Sequence, residues 1–151
     1  MLFIINNVTD KMILVIEEID NLISIFKRHE CPLMLMHTVS TYPSKDEDLN
    51  LKCIETLSNK FNVPIGYSGH EVSTAPSIYA ALLGAVAIER HVTLDRAMYG
   101  SDQSASLEIG GLKRMMNYVR DITKSMGSPE KRVMDTEIPI AEKLRKVEST
   151  V

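Results

Sequence analysis

The sequence predicts an α/β fold built of parallel strand–helix units, and three observations predict it. Four short apolar runs begin at Leu2, Leu33, Val63 and Val86, and each is followed by a stretch with helical spacing. The strand starts are separated by roughly 20 to 30 residues, the length of one β/α repeat whose strand is buried on both faces. Polar residues able to do chemistry recur at the C-terminal ends of these runs, where parallel β/α folds gather their functional groups.

Residues 2–5 are short and apolar, as a buried strand requires. Residues 10–28 read as helix: Ile19, Leu22, Ile23 and Phe26 recur at helical spacing, and Lys27, Arg28 and His29 bring positive charge to the last turn, where the helix dipole favours it. Cys31-Pro32 stops that helix. Residues 33–39 form the second strand, broken by the turn chemistry of Ser40-Thr-Tyr-Pro-Ser44. A helix follows, with Leu51, Ile54, Leu57 and Phe61 on one face and Asp46, Glu47 and Asp48 placing negative charge near its start. Residues 63–67 are the third strand, leading into Ser68-Gly69-His70, and residues 75–83 are a helix of small residues closed by Gly84. Residues 86–92 are the fourth strand, and residues 94–109 a long polar loop carrying Asp95, Gly100, Asp102 and Glu108. A last helix from 111 to 126 sets Leu112, Met115, Met116 and Val119 on one face and ends at Gly127-Ser-Pro129. The organisation is one domain over residues 1–129, with 130–151 a charged, irregular linker or tail.

Four such units fit either a small doubly wound sheet or half of an eightfold barrel, whose complete form needs about 250 residues. Neither glycine-rich phosphate loop of the nucleotide-binding folds is present, which removes the main support for a Rossmann reading. The formal net charge of −3 shows no basic excess to attract nucleic acid or an anionic membrane surface. No apolar run approaches the ~18 residues of a membrane span. The N-terminus lacks the basic lead and small-residue cleavage site of a signal peptide. Two cysteines, Cys31 and Cys53, match no ligand spacing and read as free thiols of a reducing compartment, so a cytoplasmic location is expected.

His70 and His91 lie 21 residues apart, about one β/α repeat. Neighbouring parallel strands run ~4.8 Å apart, so two imidazoles at equal depth can converge on one ion. The two-residue period puts Gly66, Ser68 and His70 on one face, and Ala87, Glu89 and His91 on one face. Imidazole suits several transition metals, and two histidines with open positions suit a catalytic site better than a closed structural one. The competing reading is two hydrogen-bonded core histidines at strand ends, and the same reading applies to His37.

The segment Gly66-Tyr-Ser-Gly-His-Glu71 resembles the N-acetylneuraminate (sialic acid) synthase family. The resemblance extends in order through His37-Thr-Val-Ser-Thr-Tyr-Pro43, Leu83-Gly-Ala, Glu89-Arg-His-Val-Thr-Leu-Asp95, Gly100-Ser-Asp-Gln-Ser-Ala-Ser-Leu-Glu108, Gly127-Ser-Pro-Glu-Lys-Arg132 and Ile140-Ala-Glu-Lys-Leu-Arg145. It implies the C-terminal half of a TIM-type (β/α)8 barrel, with the tail leading toward an antifreeze-like domain. It implies condensation of phosphoenolpyruvate with N-acetylmannosamine or a related amino sugar, with release of phosphate. His70 and His91 match the ligands of a divalent metal, manganese or magnesium, and count with Glu89 as the catalytic set. Ser40 and Ser68 match positions near phosphoenolpyruvate, and Tyr42 and Asp102 match residues that hold the acceptor sugar. The family implies a homodimer; for a half barrel, self-association through exposed edges is a further expectation. Residues 1–16 match poorly, Ser40 replaces an asparagine of some bacterial members, and Gln103 stands where histidine is frequent. The first four β/α units of the family, with their phosphate-binding lysines and an early catalytic glutamate, have no counterpart in this sequence. The alternative is therefore a truncated, catalytically inactive fragment that acts as an interaction or assembly module.

Overall fold

The computed structural model describes residues 2–6 and 12–144, with side chains from residue 18 onward. Six strands and five α-helices follow in these residues, alternating as far as β4: β1 (Leu2–Asn6), α1 (Met12–Arg28), β2 (Met34–Thr38), α2 (Cys53–Phe61), β3 (Ile65–Gly69), α3 (Ala75–Leu82), β4 (Ile88–Arg90), β5 (Val92–Thr93), β6 (Leu107–Glu108), α4 (Ile109–Met126) and α5 (Ile138–Leu144). The four long-range strands form one parallel sheet in the order β1-β2-β3-β4. Sequential order with a helix on each connection is barrel topology rather than the reversed order of a doubly wound sheet, so the half-barrel expectation holds.

The two faces of the sheet differ as the two-residue period requires. Leu35, Ile65 and Tyr67 meet Ile19 and Ile23 of α1, Ile54 and Phe61 of α2, and Ala80 of α3 in one buried apolar cluster. The opposite face carries Met36, Thr38, Gly66, Ser68 and Glu89. A Cβ at Gly66 would stand 2.2 Å from the Met36 sulfur and 3.0 Å from the Ala87 carbonyl, so any larger residue there would displace the buried Met36 side chain. α1 closes on Glu30, a non-glycine residue at φ 52°. The Cys31 amide returns to the Phe26 carbonyl at 3.0 Å, and Pro32 prevents continuation. α2 closes in the same way on Asn62, at φ 50°.

Four local readings change. The acidic triplet does not open α2; Asp46–Asp48 is a separate 3-10 turn, and Asn50 at φ 44° turns the chain before the helix begins. The fourth strand is interrupted at His91, and its continuation Val92–Thr93 pairs in parallel with Leu107–Glu108. The loop after it is therefore tethered at both ends. Its last residues, Ala105, Ser106 and Leu107, are buried, which a polar sequence did not announce. Leu112, Met115, Met116 and Val119 do share one face of α4 beside residues 85–88, but only Met115 is buried there, and Met116 is 39% exposed. The tail is not wholly irregular: a 3-10 turn at Asp135–Glu137 leads into α5, whose Ile138, Ile140 and Leu144 stay exposed. The predicted helical residues 10 and 11 and the end of the tail, 145–151, lie outside the described residues. Among the described residues no helix is long and apolar enough to cross a membrane.

Candidate metal and substrate site

The register of β3 and β4 builds the site. Ser68 pairs with Glu89 and Gly69 with Arg90, so the next step along both strands sets His70 beside His91. The 21-residue spacing is thus the pairing offset itself. The two rings stand edge to face, with centroids 5.5 Å apart and planes at 69°. One step earlier, the Ser68 hydroxyl donates to Glu89 Oε1 at 2.9 Å.

Each imidazole turns Nδ1 toward a protein oxygen. His70 Nδ1 is 2.9 Å from the Val39 carbonyl. A carbonyl only accepts, so Nδ1 carries a proton, and in the neutral ring Nε2 is the nitrogen with the lone pair. His91 Nδ1 is 3.6 Å from Asp102 Oδ2, close enough for electrostatic orientation but long for a hydrogen bond. Tyr42 covers both rings, with its centroid 5.1 Å from His70 and 4.8 Å from His91. Its hydroxyl is 3.3 Å from Ser106 Oγ. Ser106 already donates to the Asp102 carbonyl at 2.8 Å, which leaves Tyr42 as the donor between the two hydroxyls.

The loop after β2 reaches this position because Ser44 pins it. The Ser44 amide donates to the His70 carbonyl at 3.0 Å, and its hydroxyl lies 2.7 Å from the Thr41 carbonyl and 3.1 Å from that of Val39. The loop after β4 is held by Thr93, whose hydroxyl bonds the Gln103 side-chain oxygen and, at 3.1 Å, the Asp95 carbonyl. Gln103 therefore acts as a loop tether. Arg96 also donates to the Ser104 carbonyl, which fixes the turn that carries Asp102.

The structure thus brings Tyr42, His70, His91 and Asp102 together, with Ser68 and Glu89 directly beneath. Ser40 lies exposed on the same loop, two residues before Tyr42. His37 goes elsewhere. It sits on the helix-facing side of β2, with Nε2 2.7 Å from the Leu49 carbonyl, and burial lowers its pKa.

The spacing of histidines gave no hint of the residues directly behind them. Glu71 follows His70 and is fully buried. It meets the Arg90 guanidinium at 2.8 Å, with side chains 0% and 1% exposed. The Tyr67 hydroxyl donates to Glu71 Oε2 at 2.8 Å. Burial and the neighbouring carboxylate push the Tyr67 phenol up, so it remains a donor. The only sequence signal was adjacency: a carboxylate after one histidine and a guanidinium before the other.

The donor chemistry fits a divalent ion. His70, hydrogen-bonded through Nδ1, and His91, with Nδ1 turned toward a carboxylate, resemble the way metal-ligating imidazoles are oriented by an outer oxygen. Among the described residues, no group of three His, Cys, Asp or Glu side chains gathers as a ligand set. Asp102 faces the Nδ1 side of His91, where the outer partner of a ligating imidazole would stand.

Parallel β/α units with polar groups clustered at the C-terminal strand ends define part of a barrel-type catalytic domain. The NeuB family profile matches residues 13–131, and the chain belongs to that family. It is 45% identical over 112 residues to the N-acetylneuraminate-9-phosphate synthase of Homo sapiens, covering 74% of this chain and 31% of the human protein. It is 37% identical over 114 residues to the N,N'-diacetyllegionaminic acid synthase of Legionella pneumophila, covering 76% of this chain and 32% of that protein. The solved N-acetylneuraminic acid synthetase of Leptospira borgpetersenii superposes with a TM-score of 0.76 at 32% identity, over 96% of this chain and 50% of that one. Relatives of this chain are thus sugar acid synthases, and the chain spans about a third of the length of the curated relatives it matches.

Proposed function

We propose that this chain provides the metal-binding and acceptor-side part of a synthase site that condenses phosphoenolpyruvate with N-acetylmannosamine or a related amino sugar and releases phosphate. The observation that carries the reading is the pair of imidazoles 5.5 Å apart, with His70 anchored at Nδ1 by the Val39 carbonyl and His91 Nδ1 turned toward Asp102, in a chain of the NeuB family. In this reading His70 and His91 hold manganese or magnesium through Nε2. A bound divalent ion supplies Lewis acidity, which polarises a carbonyl oxygen.

The chain's own residues do the remaining work. The Val39 carbonyl fixes the tautomer of His70, and Asp102 orients His91. Tyr42 and Asp102 stand on the solvent side of the rings and hold the acceptor sugar. Ser40 and Ser68 face the phosphoenolpyruvate side. Glu89, held by Ser68, is placed for proton transfer next to the reacting carbons. A homodimer in the cytoplasm belongs to the same proposal. The alternative is an assembly module with no turnover of its own.

Two measurements test the proposal. Manganese titrated into the chain is expected to bind, and His70→Ala or His91→Ala to abolish binding; variants that bind like the parent would overturn the site. Phosphate release from phosphoenolpyruvate plus N-acetylmannosamine is expected only when the N-terminal half of a relative's barrel is supplied. Release that is absent in both cases, with manganese bound, would favour the assembly reading.

A further inference from the structure

We propose that the buried Arg90–Glu71 pair is a positioning device that locks the end of β3 to the end of β4 and so sets the separation of His70 and His91. The inference rests on the reading of those histidines as a metal pair. Its geometric half can be measured without any metal.

Arg90 and Glu71 are the covalent neighbours of the two histidines, on the helix-facing side of the sheet. The guanidinium does more than meet a carboxylate. Its NH1 group, with two hydrogens, lies 2.8 Å from Glu71 Oε1, 2.8 Å from the Ser73 carbonyl and 2.9 Å from Ser77 Oγ. Its NH2 group donates to the Glu71 backbone carbonyl. One side chain from β4 therefore grips the main chain at 71 and at 73, on either side of the turn that leaves His70. The carboxylate is held from below by Tyr67 and from the side by Ser77, whose hydroxyl lies 3.2 Å from Oε1. The two terminal nitrogens of the planar fork reach the side-chain cluster and the 71 carbonyl at once; a single ammonium cannot occupy both points.

The backbone ladder does not supply this lock. The last pair on these strands is Gly69 with Arg90, and both histidines fall one residue beyond it. Past that point β4 ends and β5 leaves to pair with β6. The side-chain bridge from Arg90 to the 71 carbonyl thus joins the two chains where the sheet no longer does. The Ser44–Glu71 bridge attaches the Tyr42 loop to the same point, so three elements that line the site converge on residue 71.

The test uses the full chain and the variant Arg90→Lys, which keeps the charge and loses the fork. The first readout is the nuclear Overhauser contact between the His70 and His91 ring protons, recorded without metal. The second is manganese affinity, and the third is the thermal unfolding midpoint. The expected result is loss of the ring-to-ring contact and at least a tenfold weaker manganese affinity, measured where the variant remains folded. If Arg90→Lys does not fold, the double variant Glu71→Leu/Arg90→Met fills the same volume with apolar atoms, and the same two losses are expected from it. A purely stabilising pair would lower the midpoint and leave the ring contact and the affinity at parent values, and that outcome overturns the proposal. If the parent itself binds no manganese while the ring contact still depends on Arg90, the metal reading fails and the positioning role stands.

Discussion

Replacing Gly69 with alanine tests whether this glycine is required by crowding rather than by backbone conformation. No positive φ occurs at Gly69, so strain of the main chain is not the issue. A Cβ there would lie 2.7 Å from Glu71 Oε2, 2.8 Å from Tyr67 Cε1 and 2.9 Å from Arg90 Cδ. Ordinary contacts are about 3.5–4.0 Å, so all three neighbours must retreat by roughly 0.6 Å or more. None is free to do so: Tyr67 and Glu71 are 0% exposed, and all three are tied into one hydrogen-bonded network. Overpacking of a core costs about 1–3 kcal/mol, and loosening the ion pair adds part of the ~3–5 kcal/mol that a broken buried pair costs. A loss of about 3 kcal/mol follows, or a fall of roughly 6–12 °C in the unfolding midpoint for a chain of this length. Gly111→Ala is the matched control. Gly111 lies inside α4, and a Cβ there meets nothing within 4 Å. Alanine is favoured over glycine in a helix by about 0.5–1 kcal/mol, so the midpoint should rise by about 1–4 °C. Circular dichroism melts of the parent and both variants at one pH decide the matter. If Gly69→Ala melts with the parent, or if the two substitutions shift the midpoint in the same direction, the crowding argument is wrong.

Two further predictions follow from burial. His37 has a lowered pKa in the fold because burial opposes its charge. The unfolded chain then binds the extra proton first, so stability should fall as pH drops below about 6.5, and His37→Gln should flatten that part of the profile in urea melts recorded from pH 7.5 to 5.5. Cys31 is exposed while Cys53 is partly buried with its thiol pushed up by desolvation; iodoacetamide near neutral pH should label Cys31 several-fold faster, read by peptide mass spectrometry, and equal rates would contradict the described packing.

Some of the site was legible because strand pairing turns sequence separation into spatial offset. His70 and His91, and Ser68 and Glu89, share one 21-residue interval, and β3 and β4 pair with that same offset. The polar ends of the strands were visible for the same reason: alternation along a strand assigns faces without knowledge of the partner. Tyr42 was marked by its place just past the second strand and by the resemblance of its segment. Its placement over both rings depends on Ser44 reaching the His70 carbonyl, a contact between chain segments that no local pattern encodes. The parallel pairing of β5 with β6 was hidden because two-residue strands carry too little periodicity to register. The acidic triplet at 46–48 misled for a related reason: charge favours a helix start, but the left-handed turn at Asn50 decided where α2 could begin.

The sequence by itself determined the order of parallel units, the apolar faces of the helices, and which histidines would end neighbouring strands, since each of these follows from a period or an interval along the chain. Tertiary structure alone decided the rest. It set the tautomer of His70 through a carbonyl 31 residues away, brought Tyr42 onto the imidazoles, and buried Glu71 against Arg90 behind them. Hydrogen bonds and ion pairs between distant segments have no period. Their donors and acceptors are ordinary polar residues in the sequence, and only folding fixes the distances that make them partners.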